Sequence, residues 1–285
     1  MTQAPRKKVS VSDLFSMKKG KEKISVLTAY DYSTALICDR AGVDVLLVGD
    51  SAGNVVLGHP STVPVNMPEM LIFCGAVSRG AKRAMIIGDM PFGSYQPSTS
   101  MAIENAVQFI KGGCDAVKLE GGAEIADKVK AIVDAGVPVM GHIGLKPQTS
   151  SLWEGYRLQG RTAESAQRLV QDAQALEKAG VFSIVLEMVA SEVADAITKK
   201  VSVPTIGIGS GPGCDGQVLV LHDLLGIYED MKPKFVKRYA ELAKPIFDAV
   251  SSYTHDVKAG KFPEEINTFH MNPEELDKFR GKDKK

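Results

Sequence analysis

The sequence lacks the features that mark several classes of protein. Its 285 residues include four cysteines, with no C-x-x-C pair, which argues against a zinc ribbon and for a reducing compartment. Lysine plus arginine equals aspartate plus glutamate at 34 each, so no basic excess points to nucleic acid or an anionic membrane. No apolar run reaches the roughly 18–20 residues of a membrane span. The basic N-terminus is not followed by the apolar segment of a signal peptide.

What the sequence does contain is a repeated alternation of predicted helices and strands. Its short apolar runs, often β-branched, are typical of parallel strands buried on both faces. Several amphipathic stretches end at a glycine just before such a run, as helices commonly do. The eight predicted strands are Ile24–Ala29, Val45–Gly49, Ala84–Gly88, Ala116–Glu120, Val137–Ile143, Ser183–Leu186, Thr205–Gly209 and Val218–His222.

Eight strands alternating with helices predict an α/β fold of the (β/α)8 TIM type, for which about 250 residues is a usual length. A doubly wound parallel sheet is the alternative. A helix over Val9–Gly20 is expected before the first strand, and Thr162 is expected to cap a later helix. Residues 232–260 predict one or two closing helices. We expect a single catalytic domain over residues 1–260 and a charged C-terminal tail over residues 261–285.

Three acidic residues, Asp50, Asp89 and Glu120, end three successive predicted strands. In a parallel barrel that edge carries the active site. Three carboxylates at one mouth repel each other unless a cation neutralises them, and an all-oxygen ligand set suits Mg²⁺. Each acid taken alone could instead cap a helix or pair with a surface lysine. The three together favour a metal site.

Three further residues near strand ends could carry chemistry. Lys118 lies two residues before Glu120, so both side chains point to the same side of the strand. A lysine at the mouth is costly without an anion and indicates an acidic substrate group, or else an ion pair with Glu120 alone. Glu187, among apolar neighbours, is a candidate general base or a helix cap. His142 is interpreted as a supporting or substrate-contacting residue.

A glycine-rich segment, residues 206–211, follows the seventh predicted strand. It is similar to the phosphate-binding segments found at that place in barrels, but the pattern alone is not specific, and the following segment, residues 214–217, could equally form a turn. The chain has no Walker motif, and no Rossmann fingerprint in its required context. The sequence therefore predicts no nucleotide site.

Taken together, these motifs resemble those of the ketopantoate hydroxymethyltransferase family, also called 3-methyl-2-oxobutanoate hydroxymethyltransferases. The likeness runs from about Val11 to Phe262, and the tail beyond departs most from the family pattern. The segments that carry it are Leu27–Asp31, Val48–Ser51, Gly88–Phe92, Lys118–Gly122, Gly141–Leu145 and Gly207–Gly209 with Asp215–Gln217. So many matches in order are specific.

The resemblance implies roles for individual residues. Mg²⁺ is expected at the positions of Asp50, Asp89 and Glu120. Glu187 matches the family's proton acceptor. The positions that match the oxo-acid contacts are Asp50, Ser51, Asp89 and Lys118.

It also implies a reaction, the transfer of a hydroxymethyl group from 5,10-methylenetetrahydrofolate to 3-methyl-2-oxobutanoate through a Mg²⁺-stabilised enolate. The product is 2-dehydropantoate, on the route to pantothenate and coenzyme A. Members of the family are cytoplasmic and form homodecamers. The nearest rival is a Mg²⁺-dependent lyase or mutase of the isocitrate lyase and phosphoenolpyruvate mutase type. A catalytically silent barrel that binds an acidic metabolite or serves as an assembly subunit is the rival from another class.

Overall fold

The computed structural model describes residues 7–150, 157–230 and 233–281. Eight parallel strands form a closed barrel in chain order, with β8 hydrogen-bonded to β1. The (β/α)8 prediction is therefore confirmed, and the doubly wound sheet is excluded. The strands are β1 (Ile24–Thr28), β2 (Val45–Val48), β3 (Met85–Asp89), β4 (Ala116–Glu120), β5 (Val139–Gly144), β6 (Ser183–Glu187), β7 (Thr205–Ile208) and β8 (Gly216–Leu219).

The structure also describes α-helices before, between and after these strands along the chain. They are α1 (Val11–Gly20), α2 (Tyr32–Ala41), α3 (Ala52–Val55), α4 (Met67–Gly80), α5 (Thr99–Lys111), α6 (Ala126–Asp134), α7 (Pro147–Ser150), α8 (Ala163–Ala179), α9 (Ser191–Lys200), α10 (Leu221–Leu225), α11 (Ala243–Lys258) and α12 (Pro273–Phe279). Thr162 caps α8 as predicted, because its Oγ1 accepts the N–H of Ser165 at 3.2 Å. The first helix begins at Val11 because Ser10 is its N-cap, paired reciprocally with Asp13.

The largest boundary error in the strand prediction lies at β8. The predicted strand Val218–His222 runs into α10, whereas the observed strand begins at Gly216. At the turn between them, the N–H of Leu221 donates to Thr28 Oγ1 at 3.0 Å instead of extending the ladder. The apolar run crosses from strand into helix without a break, so hydropathy could not mark this boundary.

Two buried apolar layers position the site. One lies between the strands and the outer helices. The other fills the barrel interior and includes Leu14 of α1, which is fully buried. Lys18 of α1 holds this helix in place through Asp215 Oδ2 at 2.8 Å and the carbonyls of Thr198 and Val203. The N-terminal end of the barrel is therefore covered by α1, and the strands' C-terminal ends surround the cavity described below.

The chain divides into two compact units between Tyr239 and Ala240, and the second contains α11 and α12. The predicted domain boundary after residue 260 stays a prediction. Within the described ranges, no helix combines the length and the apolar character that crossing a membrane requires.

Candidate active site

The C-terminal ends of the strands surround a cavity of about 350 Å³. Every site residue predicted from the sequence lines it. These residues are Asp50, Ser51, Asp89, Lys118, Glu120 and Glu187, with His142 beside them. Their side chains are buried except those of Ser51 and Glu187, which are partly exposed. Lys118 and Glu120 share this cavity, as the period of two along β4 predicted.

Lys118 lies among the acids. Its Nζ is 2.8 Å from Asp89 Oδ1, 3.7 Å from Glu120 Oε1 and 3.2 Å from His142 Nδ1. Burial lowers the pKa of Lys118, but the charges of Asp89, Glu120 and Asp50 outweigh it and hold this pKa above its ordinary value. The ammonium therefore stays charged. A pairing with Glu120 alone is excluded, because Asp89 is the nearer partner.

The three carboxylates carry more negative charge than this one lysine offsets. Burial, and then the charges of Asp89 and Glu120, raise the pKa of Asp50 well above its usual range. Burial also raises the pKa of Asp89 despite the opposing effect of Lys118. Burial raises the pKa of Glu120, but the neighbouring His142 and Lys118 outweigh burial, so this pKa is lowered. A further cation would relieve this repulsion.

The donor atoms fit Mg²⁺ in their chemistry. Asp89 Oδ1 and Glu120 Oε1 are buried and, among the described residues, accept no well-aligned hydrogen bond. Hard carboxylate oxygens are what Mg²⁺ prefers. Among residues 7–150, 157–230 and 233–281, no group of three His, Cys, Asp or Glu side chains is arranged to hold a metal ion through protein atoms alone. An ion that keeps water and substrate oxygens in its shell does not need one.

Two residues that the sequence reading missed hold the acids in place. Gln148 of α7 is fully buried, and its amide donates to Asp50 Oδ2 at 2.9 Å and to the Met90 carbonyl at 3.0 Å. Its backbone N–H donates to Glu120 Oε2 at 3.1 Å. The hydroxyl of Tyr95 lies 2.9 Å from Gln148 Oε1 and accepts the N–H of Glu120 at 3.2 Å. An amide and a phenol give no charge signal in a sequence, so only their burial reveals this role.

His142 links the candidate base to the acids. Its Nε2 is 3.2 Å from Glu187 Oε2, and its Nδ1 is 3.4 Å from Glu120 Oε1. Burial and the Lys118 charge lower the pKa of His142, but the nearby carboxylates of Glu120 and Glu187 outweigh them and raise it to about 9. The two carboxylates offset the repulsion between the protonated ring and Lys118. The supporting role predicted for His142 agrees with this position.

The turn that presents Glu187 has an unusual backbone. Met188, the next residue, has a φ of 46°, a left-handed conformation uncommon for a residue with a side chain. Gly144 approaches so closely that a Cβ there would lie 2.2 Å from the Glu187 carbonyl oxygen. Ser210 donates to the Leu186 carbonyl at 2.7 Å and accepts the N–H of Val189 at 3.0 Å. Both neighbouring strands therefore fix this turn.

The glycine-rich segment packs against the β6 turn and against Phe235. The hydroxyl of Ser210 is buried and already bonded to the β6 turn. A Cβ at Gly209 would lie 2.9 Å from the ring of Phe235, so this glycine makes room for an aromatic side chain. On the other side of the mouth, Ser51 Oγ lies 2.8 Å from the hydroxyl of Tyr30.

Comparison with known proteins places this barrel in a family. The sequence profile described as ketopantoate hydroxymethyltransferase matches residues 8–265. The chain belongs to this family. A 3-methyl-2-oxobutanoate hydroxymethyltransferase of Nitrosopumilus maritimus is 58% identical over 271 residues, covering 95% of this chain and 97% of that protein. One from Carboxydothermus hydrogenoformans is 55% identical over 272 residues, covering 95% and 99%. The family and enzyme predictions are confirmed.

Solved structures of more distant proteins share the fold of this family member. Phosphonopyruvate hydrolase superposes with a TM-score of 0.61 at 13% identity, covering 96% of this chain and 95% of that chain. A 2,3-dimethylmalate lyase of the phosphoenolpyruvate mutase and isocitrate lyase superfamily gives 0.57 at 17% identity, covering 95% and 94%. At such identities the likeness shows the fold alone.

Proposed function

We propose that this hydroxymethyltransferase moves a one-carbon unit from 5,10-methylenetetrahydrofolate to 3-methyl-2-oxobutanoate and forms 2-dehydropantoate, a step toward pantothenate and coenzyme A. The observation that carries the proposal is the buried Lys118 ammonium, 2.8 Å from Asp89 Oδ1 in a cavity that also holds Asp50, Glu120 and Glu187. An oxygen ligand set, a buried cation and a carboxylate base are what a 2-oxo acid needs for chemistry at C3. The names of the relatives support the same substrate.

The oxo acid would bind at the acidic side of the cavity. Asp50, Asp89 and Glu120 would hold Mg²⁺, which when bound supplies a Lewis acid for the ketone and carboxylate oxygens. Lys118 brings positive charge to the same oxygens, and the Ser51 hydroxyl offers a hydrogen bond. In this arrangement C3 would face the end of β6, where Glu187 lines the cavity.

Glu187 is the base that takes the proton from C3. It ends β6, its side chain is partly exposed to the cavity, and His142 Nε2 holds one of its oxygens at 3.2 Å. A base must be held within reach of the proton that it removes. The close approach of Gly144 and the hydrogen bonds of Ser210 hold the turn that carries Glu187 in place. C3 then attacks the methylene carbon of the donor.

The reaction balances without an oxidant or a reductant. The one-carbon unit is at the oxidation level of formaldehyde, and water supplies the oxygen of the new hydroxyl. A C–C bond forms at C3, and both bonds between the methylene carbon and the donor's nitrogens break. Those nitrogens end with the proton lost from C3 and one proton from water, which gives tetrahydrofolate.

A coupled assay for 2-dehydropantoate, with the folate and Mg²⁺ omitted in turn, tests the proposal. Product is expected only when both are present. A lyase or mutase of the rival type would consume its oxo acid without the folate, and a silent barrel would give no turnover with any combination. Either result contradicts the proposed reaction.

We propose that the chain works as a homo-oligomer, a homodecamer by family resemblance. Helix α11 carries an exposed apolar stripe at helical spacing, which a monomer would leave in water. Its residues are Ile246, Phe247, Val250, Tyr253 and Val257, with Phe247 70% exposed. Light scattering on the purified protein decides this, because a mass near the 30.6 kDa of one chain would refute it.

A cytoplasmic location is the companion proposal. All four cysteines are free and buried, which is compatible with a reducing compartment. We also propose that the chain binds neither nucleic acid nor membrane.

A further inference from the structure

The cavity is larger than the oxo acid requires. At roughly 30 Å³ for each atom heavier than hydrogen, 3-methyl-2-oxobutanoate takes up about 240 Å³ at most, whereas the cavity holds about 350 Å³ and opens to solvent. The acids follow β2 to β4. The opposite wall, from β7, β8 and the segment after α10, is largely apolar and includes Ile208, Val218, Val220, Tyr228 and Phe235. None of the residues proposed to bind or deprotonate the oxo acid lies on this wall.

Asp223 is the carboxylate on this wall. It lies in α10, is half-buried and faces the cavity. In the part of the chain that the structure describes, its side chain accepts no hydrogen bond and forms no ion pair. Burial raises its pKa, and the charge of Arg238 opposes this only in part. Such a carboxylate suits a ligand that presents adjacent N–H donors at one edge.

Two aromatic side chains line the same cavity as Asp223. The ring of Phe235 packs against the end of β7, where Gly209 leaves room for it. Tyr228 is anchored through its carbonyl, which accepts a hydrogen bond from Arg238 Nη2 at 3.2 Å. Flat apolar surfaces of this kind favour a flat ring system over a branched aliphatic ligand.

Lys234 adds a positive charge at the rim of the same wall. Its side chain is exposed, lines the cavity and, among the described residues, has neither a hydrogen bond nor an ion pair. An anionic group that extends from the cavity toward solvent would meet it. The wall thus combines three features, a carboxylate, flat aromatic surfaces and a rim cation.

We propose that this wall is the binding site of the one-carbon donor. The reduced pterin ring lies between Tyr228 and Phe235, its amino-pyrimidine edge donates to Asp223, and its glutamate tail passes Lys234. Glu187 ends β6, between the acids and this wall, so the carbon that it deprotonates faces the donor. The inference rests on the proposed function, which supplies the identity of the donor.

Two measurements separate the donor site from the oxo-acid site. Solvent deuterium exchange into C3 of 3-methyl-2-oxobutanoate, without folate, reports the oxo acid and the base. Equilibrium dialysis of tetrahydrofolate reports the donor site. We expect Asp223→Asn to raise the Kd of tetrahydrofolate between about tenfold and a hundredfold, since a hydrogen bond to a charged group is lost. Exchange should stay within about twofold of wild type.

Lys234→Met should raise the same Kd about two- to fivefold at low salt, with the difference vanishing at high salt. Matched controls lie outside the cavity. Lys82 is exposed just before β3, at the covered end of the barrel, and Asp134 is exposed at the end of α6. Neither Lys82→Met nor Asp134→Asn should change either measurement.

Phe235→Leu is a second, independent variant, expected to weaken tetrahydrofolate binding while exchange continues. Wild-type affinity in both Asp223→Asn and Phe235→Leu would place the donor elsewhere. If both variants lost C3 exchange as well as tetrahydrofolate binding, the inference would also be overturned. These residues would then serve oxo-acid binding or the stability of the fold. The proposed function itself would fail in a different way, because the wild-type protein would then form no 2-dehydropantoate in the coupled assay.

Discussion

His142 Nε2 lies 3.2 Å from Glu187 Oε2, and this contact connects the candidate base to the acid cluster. The other ring nitrogen is 3.4 Å from Glu120 Oε1. The imidazole therefore lies between two carboxylates, within 3.4 Å of each. The position of the base therefore depends on a residue that has no direct part in the proposed proton transfer.

This arrangement predicts a pH dependence of stability. The pKa of His142 is about 9 in the folded protein, above the roughly 6.5 of an unfolded histidine. The stabilisation is therefore fully present below about pH 6.5 and is lost as the pH rises through about 9. Urea unfolding of EDTA-treated protein should show this loss for wild type, and a smaller loss for His142→Asn. Parallel losses in the two proteins would contradict it.

Asp89→Asn should weaken Mg²⁺ binding by about tenfold or more, because one of three carboxylates that offset the ion is neutralised. The side chain keeps its size, so we expect little change in the thermal midpoint. Calorimetric titration of Mg²⁺ into the two proteins measures this, with the exposed Asp134→Asn as control. Wild-type Mg²⁺ affinity in Asp89→Asn would remove this residue from the ligand set.

Lys118→Met keeps the aliphatic stem and removes the charge. We expect the affinity for 3-methyl-2-oxobutanoate to fall about tenfold or more, because a charge-assisted hydrogen bond is lost. Mg²⁺ affinity should stay similar or rise slightly, since a competing cation is gone. Titration of the oxo acid into the Mg²⁺-saturated variant is the measurement. Unchanged affinity there would mean that Lys118 serves the acids alone.

Glu187→Gln should leave oxo-acid binding nearly intact while exchange of the C3 hydrogen falls at least about a hundredfold, because an amide does not accept the proton. Deuterium incorporation without folate isolates this step from the transfer. Exchange at the wild-type rate would show that another group is the base.

Gly144→Ala should displace the base turn, since a Cβ would lie 2.2 Å from the Glu187 carbonyl oxygen and φ is 97°. We expect a loss of about 3 kcal/mol in the free energy of unfolding and slower C3 exchange. The control is Gly58→Ala, where φ is 70° but no atom lies within 4 Å of the added carbon. This control should lose about 1 kcal/mol and keep full exchange. Equal effects of the two changes would refute the steric argument.

The barrel and the acid cluster were predictable because they follow from local periodicity. The spacing of Lys118 and Glu120 places both on one side of β4 whatever the tertiary structure. The ends of β2 and β3 are marked by an acidic residue after an apolar run, at Asp50 and Asp89. The family motifs then predicted the reaction and a Mg²⁺ cofactor, which periodicity alone does not do.

The supporting residues were not predictable in the same way. Gln148 and Tyr95 matter because the folded chain brings them to Asp50 and Glu120 from distant positions. The link between His142 and Glu187 likewise depends on the pairing of β5 with β6. Interactions of this kind depend on tertiary packing, which sequence spacing does not reveal.

Helix α1 covers the N-terminal end of the barrel through Leu14 and Lys18. The acids Asp50, Asp89 and Glu120 are buried, whereas Tyr228 and Phe235 on the opposite wall are partly exposed. With substrates and products passing the same mouth, a donor bound at that wall would block the oxo acid from reaching the acids. We therefore expect a compulsory order, in which the oxo acid binds before the folate and tetrahydrofolate departs before the new six-carbon acid.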